Sequence, residues 1–448
     1  MFREVDLRLL TLSHVLISLM AVAVVALAAC SVAPSPTAST PATGPTFTPV
    51  STVVTETTPS PSPAPTELRP AHITLTVWGP IQFSPGETDS GRSVLQAQYE
   101  DFVAGNEGVD VEYVPKAPYG ESGVLDFLLA AAYAAPGVLP DLAIVDTVEL
   151  EALVKEGLAQ PIAGPTAAAL TTDLYPFASG ACTFDGELRG IQFEADIEHL
   201  IYYTEVLEEP PPTWAELFSG PISYTFPAGG ENGLVNDAFL IQYLAQGGQF
   251  FDQEGKPTLD SSALQRVLRL YDALRIWNVS PPKIRELSSL EDCWKAYSEG
   301  NITVSHVSSW RYLTSLPVMQ ETSFAAIPTE TGIPATMARG WAFVIVTASP
   351  YRQEAARSLI EWLMTPQNLA QWSEASNHLP ARPSALRLTG WPLDYARFLD
   401  TQLANAYHRP STPEFERVGR ALQVAVQDVL SGEKTPRQAT TQAVEDLQ

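Results

Sequence analysis

Cysteine is scarce in this chain of 448 residues. Three are present, at positions 30, 182 and 293. Small exported domains that depend on disulfides for their stability carry a much higher share of cysteine. The count therefore excludes a disulfide-rich scaffold.

Positively charged residues are also few. The chain has 26 Lys and Arg against 51 Asp and Glu, which gives a formal net charge of −25. A strongly acidic protein is repelled by the phosphates of nucleic acids and by anionic lipid headgroups. We therefore expect no nucleic-acid partner and no electrostatic adhesion to a membrane. The charge says little about a small ligand, because scattered acidic residues usually form a solvated surface.

Long apolar runs are missing with one exception, at the start of the chain. Two arginines precede the apolar stretch from Leu9 to Ala29, and small residues lead into Cys30. This layout is typical of a secretory signal peptide, predicted over residues 1–29. The four residues 27–30, LAAC, are similar to a bacterial lipobox, in which the cysteine is lipidated and becomes the mature N-terminus. The alternative is an uncleaved transmembrane anchor. Both interpretations place the remainder of the chain outside the cytoplasm.

The next segment, residues 30–70, consists of the predicted lipidated cysteine followed by a stretch dominated by Pro, Thr and Ser. A segment with so few large apolar side chains buries too little surface to offset the entropy of ordering it. We predict a disordered tether that holds residues 71–448 away from the membrane. No second apolar span follows, so this body is not expected to be an integral membrane domain.

Motifs of catalysis and of metal binding are missing as well. The sequence contains no G-x-S-x-G, H-E-x-x-H, phosphate-binding loop or C-x-x-C motif, and its six histidines occur singly. Neither catalytic residues, nor a cofactor, nor a metal site is predicted. The acidic pairs Glu208-Glu209 and Glu291-Asp292 could imitate the carboxylates of a glycosidase. Their turn and helix-start contexts favour a solvated face instead.

Hydrophobic patterning of the body predicts an α/β fold. Short runs rich in β-branched or apolar residues occur at 72–79, 109–114, 140–146 and 340–346, and helical spacing separates the first three. Strands that alternate with helices in this way form parallel sheets covered by helices. Asp146 is predicted to cap the helix that follows the third strand, with Glu149 completing a capping box.

Later helices are predicted from apolar stripes within residues 264–274, 356–363 and 415–429. Proline at the first helical position forfeits no hydrogen bond, and a preceding hydroxyl can cap the helix. A hydroxyl residue followed by proline therefore predicts helix starts at Ser349-Pro350, Thr365-Pro366, Thr412-Pro413 and Thr435-Pro436. A further helix is predicted after Thr213, with Glu216 at its third position.

Ten stretches, in order along the body, resemble the bacterial extracellular solute-binding proteins of the maltose-binding class, which deliver solutes to ABC importers. They are LTVWG (75–79), PDLAIVD (140–146), LVKEGLAQPI (153–162), FDGELRGIQFEAD (184–196), PPTWAEL (211–217), LAQGGQFFDQEGKPTLDS (244–261), AAIPTETGIPAT (325–336), RGWAFVIVTAS (339–349), NHLPARPSAL (377–386) and RPSTPEFERVGRALQVAVQDVLSGEKTPRQA (409–439). One departure is Gln192, where the family commonly has a proline.

The resemblance implies an α/β, two-lobed periplasmic-binding-protein fold with discontinuous lobes, interlobe crossings and a ligand cleft. Lobe one would comprise residues 71–195 and 329–380, and lobe two residues 196–328 and 381–448. The chain would cross between the lobes near 193–197, near 328 and near 380. Ligands of open α/β sheets bind at the carboxyl ends of the strands.

A sugar cleft needs polar side chains for the hydroxyls and aromatic rings for the C–H faces of the ligand. The resemblance and the positions of residues after strands indicate six ligand-binding candidates. They are Trp310, Trp341, Asp196, Asp146, Trp78 and Tyr119. For two of them another role stays open, because Asp146 could be only a helix cap and Trp78 only a core residue. Trp214 is predicted to pack rather than to contact ligand.

The function implied is that of a lipid-anchored receptor, without enzymatic activity, that captures a carbohydrate and passes it to the permease subunits of an ABC transporter. A monomer is expected, attached to the membrane by its lipid alone. Two alternatives are a secreted glycan-active enzyme and a receptor that presents ligand to a membrane sensor. Because Cys182 and Cys293 would belong to different lobes, which must move, we predict two free, buried thiols.

Overall fold

A computed structural model of the chain describes residues 70–319 and 321–447. The predicted signal peptide, the lipidation site Cys30 and the tether up to residue 69 lie outside the described residues. Within the described ranges, no helix is both long and apolar enough to cross a membrane.

Short strands make up two main sheets and one hairpin. In chain order the strands are β1 (Ile73–Pro80), β2 (Val109–Lys116), β3 (Leu142–Asp146), β4 (Thr183–Phe184), β5 (Glu187–Leu188), β6 (Ile191–Gln192), β7 (Glu194–Tyr203), β8 (Tyr224–Thr225), β9 (Val304–Ser308), β10 (Thr322–Ala325), β11 (Thr336–Arg339), β12 (Trp341–Ile345), β13 (Leu379–Pro380) and β14 (Ala406–His408).

Helices cover these sheets. In chain order they are α1 (Ser90–Gly105), α2 (Val124–Ala134), α3 (Leu150–Lys155), α4 (Pro165–Thr172), α5 (Pro176–Ala181), α6 (Asp237–Ala245), α7 (Ser261–Ile276), α8 (Leu290–Ser298), α9 (Ser309–Ser315), α10 (Pro350–Leu363), α11 (Pro366–Ser376), α12 (Pro383–Leu386), α13 (Leu393–Ala404), α14 (Pro413–Ser431) and α15 (Pro436–Glu445).

The first sheet has the strand order β2-β1-β3-β12-β6. Strand β1 pairs in parallel with β2 and β3, whereas β12 runs antiparallel to β3 and β6. Every residue of β3 and of β12 is buried. Continuous apolar runs of this kind are typical of strands covered on both faces. The four strands predicted from patterning are all present, each within two residues of the predicted bounds.

The second sheet is organised around the long strand β7. Its order is β14-β11-β7-β9-β8, and β10 and β13 also pair with β7. Strand β7 therefore runs from the boundary with the first sheet through the centre of the second. Two sheets with separate helical layers give the two-lobed α/β fold, as predicted.

Single residues separate the strands where the chain passes between the sheets. Phe193 joins β6 to β7, and Gly340 joins β11 to β12. The second crossing was expected near residue 328, which is too early, because β11 still pairs with β7 of the second sheet. A Cβ on Gly340 would lie 2.0 Å from the carbonyl oxygen of Glu194. The two crossings thus approach so closely that this position requires glycine.

Four helices begin where a Ser or Thr followed by Pro predicted a helix start. The helices begin at Pro350, Pro366, Pro413 and Pro436. The hydroxyls of Thr365, Thr412 and Thr435 accept backbone N–H groups of the first helical turn. The apolar stripes predicted along α7, α10 and α14 are buried. Local sequence therefore determined these helices and their starts.

Two capping predictions were wrong. Asp146 accepts the N–H of Val148 in a turn, and α3 begins four residues after Asp146, with no side-chain cap from Glu149. After Thr213 the chain forms a turn and only a short 3-10 helix that begins at Glu216, without a side-chain cap. The backbone N–H groups of Glu216 and Leu217 donate to the carbonyl oxygen of Thr213, so one turn forms, but Gly220 and Pro221 follow it directly and prevent its continuation.

The core consists of two hydrophobic clusters. Cys182 is buried in the larger cluster, which includes residues of both sheets, and Cys293 in the smaller cluster beside the second sheet, and both are free thiols, as predicted. Helix α13, expected with the second lobe, packs the rings of Tyr395 and Phe398 against Phe324 of β10 in the second sheet, with centroids 4.8 Å and 4.9 Å apart.

Candidate functional site

A cavity of ≈ 320 Å³ opens at the end of the second sheet that faces the crossings. Strands β7, β9 and β11 and the starts of α6 and α8 line it. Among the lining residues are the carboxylates Asp196, Glu198, Glu231, Asp237 and Glu291, together with Arg339. We call this space the cleft cavity. Its polar lining suits a hydroxyl-rich or charged ligand.

Asp237 is the most strongly paired carboxylate of the cleft cavity. It lies at the start of α6, and Arg339 Nε donates to its Oδ2 over 2.6 Å while Arg409 Nη1 donates to its Oδ1. Burial alone would raise the pKa of Asp237, but the two guanidinium groups overcome this effect and hold that pKa at about 2. Asp237 is thus an anion that fixes Arg339 at the edge of the cavity.

Two further carboxylates of the cavity also face arginines. Glu291 Oε2 accepts from Arg311 Nη2 over 2.7 Å and from Arg311 Nε over 3.0 Å. Glu231 lies 3.9 Å from Arg339. The Glu291 side chain is 44 % exposed, as expected of a solvated face, and it also lines the cavity, while the adjacent Asp292 completes a capping box with Ser289. The start of α8 thus contributes both a cap and a site residue.

Asp196, a predicted ligand contact, lies on β7 near the first crossing. Its Oδ1 accepts the hydroxyl of Ser309 over 2.5 Å and the backbone N–H of Trp310 over 3.1 Å. Both donors belong to the first turn of α9, where N–H groups have no partner within the helix. The carboxylate is therefore held in place by neutral groups.

Glu198 lies two residues further along β7, and sequence reasoning did not single it out. Its Oε1 is hydrogen-bonded to His306 Nδ1, and His306 Nε2 is hydrogen-bonded to the hydroxyl of Tyr224. Glu198 is 4 % exposed and His306 1 %. An imidazole with its proton on Nδ1 donates to Glu198 and accepts from Tyr224, so both ring nitrogens of His306 have a partner without a charge on the histidine.

The cleft cavity, lined by the second sheet and its helices, forms one side of the site. Asp146, Tyr119 and Trp341, which belong to the first sheet and its loops, form the other side. Asp146 ends β3 directly beside Trp341, which begins β12. The Tyr119 hydroxyl donates to Asp146 Oδ2 over 2.6 Å, and the Tyr119 ring lies 5.6 Å from that of Trp341, centroid to centroid. Tyr119 is 54 % exposed and Trp341 8 %. The exposed aromatic surface on this side therefore comes mainly from Tyr119.

Electrostatic coupling joins the two sides. Burial raises the pKa of Asp146, while the hydrogen bond from Tyr119 and the charge of Arg339 oppose that rise. Arg339 also lowers the pKa of Asp237, so one guanidinium influences Asp146 of the first sheet and Asp237 of helix α6. The predicted residue Asp146 and the cleft cavity consequently belong to one electrostatic environment.

Glu194 and His378 lie between the two sides. The His378 Nδ1 and Glu194 Oε1 atoms are 2.9 Å apart, and the backbone N–H of Trp341 donates to Glu194 Oε2 over 3.2 Å. Burial raises the pKa of Glu194, and His378 opposes that rise. The half-buried ring of Trp310 packs near the His378 ring, with centroids 6.2 Å apart. Trp310 thus lies at the junction of the sheets.

Trp78 ends β1 and is 8 % exposed. Its ring makes an edge contact with Phe127, and Lys116 Nζ lies 4.5 Å above it. These contacts agree with the core role that stayed open for Trp78. Trp214, predicted to pack, donates its indole N–H to Gln242 over 2.8 Å and lies against the second cluster.

The structure thus gathers Asp146, Tyr119, Trp341, Asp196 and Trp310 around the crossings. It adds residues that sequence reasoning missed: Glu194, Glu198, Glu231, Asp237, His306, Arg339 and His378. The signal available for Glu198 was its position two residues after Asp196, because alternate residues of a strand share a face. Across residues 70–319 and 321–447, no group of three His, Cys, Asp or Glu side chains is arranged to hold a metal ion.

Comparison with known proteins identifies the family. The family described as bacterial extracellular solute-binding protein matches residues 97–397, more than half of the chain. This chain belongs to that family. The resemblance inferred from the ten stretches is therefore confirmed, and the relatives found are binding proteins rather than enzymes.

A curated relative of this solute-binding protein is the maltotriose-binding protein of Pyrococcus abyssi, 23 % identical over 371 residues, covering 78 % of this chain and 77 % of the relative. Among solved structures, the sugar-binding protein MalE of Xanthomonas citri matches with a TM-score of 0.68 at 21 % identity, covering 83 % of this chain and 96 % of that one. The cyclic alpha-maltosyl-1,6-maltose binding protein of Arthrobacter globiformis matches with a TM-score of 0.66 at 19 % identity, covering 84 % and 98 %. At these identities the structural matches establish the fold.

Proposed function

We propose that this solute-binding protein captures a saccharide between its two lobes and delivers it to the permease of an ABC importer. The observation that carries the proposal is the meeting, at the crossings, of an exposed aromatic ring with carboxylates and guanidinium groups. Tyr119 offers a ring for the C–H face of a sugar, and Asp196 and Arg339 offer an acceptor and a donor for hydroxyls. Maltotriose and maltose-type ligands, named for the relatives, support this class of solute.

Ligand contacts are proposed from both lobes. The first lobe would supply Asp146, Tyr119 and Trp341, and the second would supply Trp310, with Asp196 at the crossing. A ligand favours the closed state only by binding it more tightly than the open state. Contacts with both lobes satisfy this condition, and the single-residue crossings at Phe193 and Gly340 are where the chain would bend.

The proposal extends to the protein's place in the cell. The family is extracellular, and lipidation of Cys30 together with the Pro/Thr/Ser-rich segment would hold the binding domain near its permease. We propose a monomer that carries no enzymatic activity and needs no cofactor. Delivery to a permease rather than to a sensor is favoured by the family's role as solute-binding proteins.

Isothermal titration against glucose, maltose, maltotriose and cellobiose, followed by chromatography of the recovered sugar, tests the proposal. We expect saturable binding of one sugar per protein, with the sugar recovered unchanged. Asp196→Asn serves as the site variant and should weaken binding at least about tenfold, because a charge-assisted acceptor is lost. Cleavage products would overturn the assignment as a binding protein. Failure of every saccharide to bind would overturn the assignment of its ligand.

A further inference from the structure

The cleft cavity carries an imbalance of charge that its ion pairs do not remove. Of its five carboxylates, Asp237 and Glu291 form close ion pairs with arginines, and Glu231 lies 3.9 Å from Arg339. Asp196 and Glu198 are different. Within the described ranges neither forms an ion pair with a lysine or an arginine, and their hydrogen-bond donors are Ser309, a backbone N–H and an imidazole.

Asp196 and Glu198 point to the same side of β7. They are two residues apart, so their side chains share a strand face with about 7 Å between their Cα atoms. Both line the cleft cavity. One oxygen of each is engaged, by Ser309 at Asp196 Oδ1 and by His306 at Glu198 Oε1. The second oxygen of each makes no hydrogen bond to another residue in the described part of the chain, so two acceptors face the cavity together.

The hydrogen bonds to one oxygen of each carboxylate fix the orientation of its second oxygen. His306 is buried and is itself held by the Tyr224 hydroxyl, which leaves the Glu198 carboxylate little freedom to turn. Burial also raises the pKa of Tyr224 well above its usual value, so this hydroxyl keeps its proton. A buried, oriented carboxylate that has no lysine or arginine partner is costly to desolvate, and a ligand cation would lower that cost.

Building on the proposed saccharide function, we infer that Asp196 and Glu198 form an amine subsite, and that the solute is a saccharide with a protonated amino group. An ammonium group has three donors and a full charge, so it can satisfy both free oxygens. A hydroxyl offers one donor and no charge. Charge-assisted hydrogen bonds are roughly twice as strong as neutral ones. A uronate or a phosphorylated sugar would be repelled by the same two carboxylates.

Three β-1,4-linked disaccharides of the same size separate the possibilities by isothermal titration. Cellobiose is neutral, the glucosamine dimer carries two ammonium groups, and the N-acetylglucosamine dimer keeps the nitrogen but loses the charge. Glucose, glucosamine and glucuronate repeat the comparison with monosaccharides. We expect the amino form to bind at least about tenfold more tightly than its neutral partners, and glucuronate to bind most weakly.

Variants test which carboxylates are responsible. Asp196→Asn and Glu198→Gln should each lower the ratio of amino-sugar affinity to neutral-sugar affinity severalfold. Glu299→Gln removes the same charge from an exposed position beyond α8, outside the cavity, and should leave the ratio unchanged. An equal fall of the ratio in Glu299→Gln would mean that the overall field of the acidic protein, not the subsite, sets the preference, and would overturn the inference.

The failures of the two proposals can be told apart. If neutral saccharides bind as tightly as amino saccharides, or more tightly, the amine subsite is refuted while the saccharide function stands. Tighter binding of glucuronate would refute the subsite in the same way. If no saccharide binds but the linear amine spermidine does, the saccharide function is refuted and the inferred solute class falls with it.

Discussion

His199 is a buried histidine that is satisfied only in its neutral form. Its Nδ1–H donates to the carbonyl oxygen of Leu200 over 2.9 Å, and its Nε2 accepts the hydroxyl of Tyr395 over 3.0 Å. The rings of Tyr312 and Phe398 pack edge-on against the imidazole. Burial lowers the pKa of His199 from 6.5 to about 4, and the nearby His306 acts in the same direction. Protonation of His199 should therefore favour the unfolded chain.

The sign and size of this effect follow from linkage. Between pH 6.5 and pH 4 the unfolded chain binds a proton at this position that the folded protein does not bind, so stability falls as the pH falls through this window. A difference of about 2.5 pKa units corresponds to about 3 kcal/mol when the shift is complete. At pH 5, the loss relative to pH 8 is about 2 kcal/mol.

Urea unfolding of the wild type and of His199→Gln at pH 5, 6, 7 and 8 measures this contribution. The variant loses packing at every pH, so its free energy of unfolding should be lower throughout, but the difference between the two proteins should shrink by about 2 kcal/mol from pH 8 to pH 5. Parallel pH profiles for the two proteins would refute the reasoning.

The wild type must be compared with His199→Gln because another titrating group changes the free energy of unfolding with pH in the opposite direction. Burial and the charge of Asp146 raise the pKa of Glu149 to about 8. A carboxyl with a raised pKa contributes stability that is lost as the pH rises between about 4.5 and 8. Glu149→Gln should therefore be more stable than the wild type at pH 8 and no more stable at pH 4.5, and the same urea experiment serves as its measurement.

Three further predictions concern the crossing, the aromatic residues and the anchor. Gly340→Ala places a Cβ 2.0 Å from the carbonyl oxygen of Glu194, so it should destabilise the protein by about 3 kcal/mol, and an unchanged melting temperature would contradict the packing argument. Trp310→Ala should weaken sugar binding by about 1–3 kcal/mol with near-normal melting, whereas Trp214→Ala should mainly lower the melting temperature; the reverse pattern would exclude Trp310 from the cleft. Cys30→Ser should release the protein from membranes or block its processing, and mature membrane-bound protein in this variant would refute lipidation.

Secondary structure was largely predictable because the signals are local. The buried strands β1, β3 and β12 appear as short apolar runs, and α14 combines an apolar stripe with a threonine cap and an N-terminal proline. The failed prediction after Thr213 shows the limit of such signals. There a single turn forms after Thr213, and Gly220 followed by Pro221 ends it before a helix develops.

Site residues were predictable only where they follow a strand or match the family. Asp146 was chosen because it ends strand β3, and Trp341 because it begins β12 at a position that matches the family. Arg339 and Glu194 carried no comparable signal. Their roles depend on which carboxylate or imidazole the fold brings opposite them, and these partners are distant in sequence.

The sequence by itself determined the class of the protein: its acidic charge, its α/β pattern, its helix starts and its family are all properties of residues near one another in the chain. The tertiary structure alone decided where the chain crosses between the lobes and which carboxylates are neutralised. The crossing at Gly340 depends on contact with Glu194, 146 residues earlier. The hydrogen bond between Glu198 and His306 joins residues that are 108 positions apart in the sequence. Contacts over such separations form only when the two sheets pack together, so no local pattern records them.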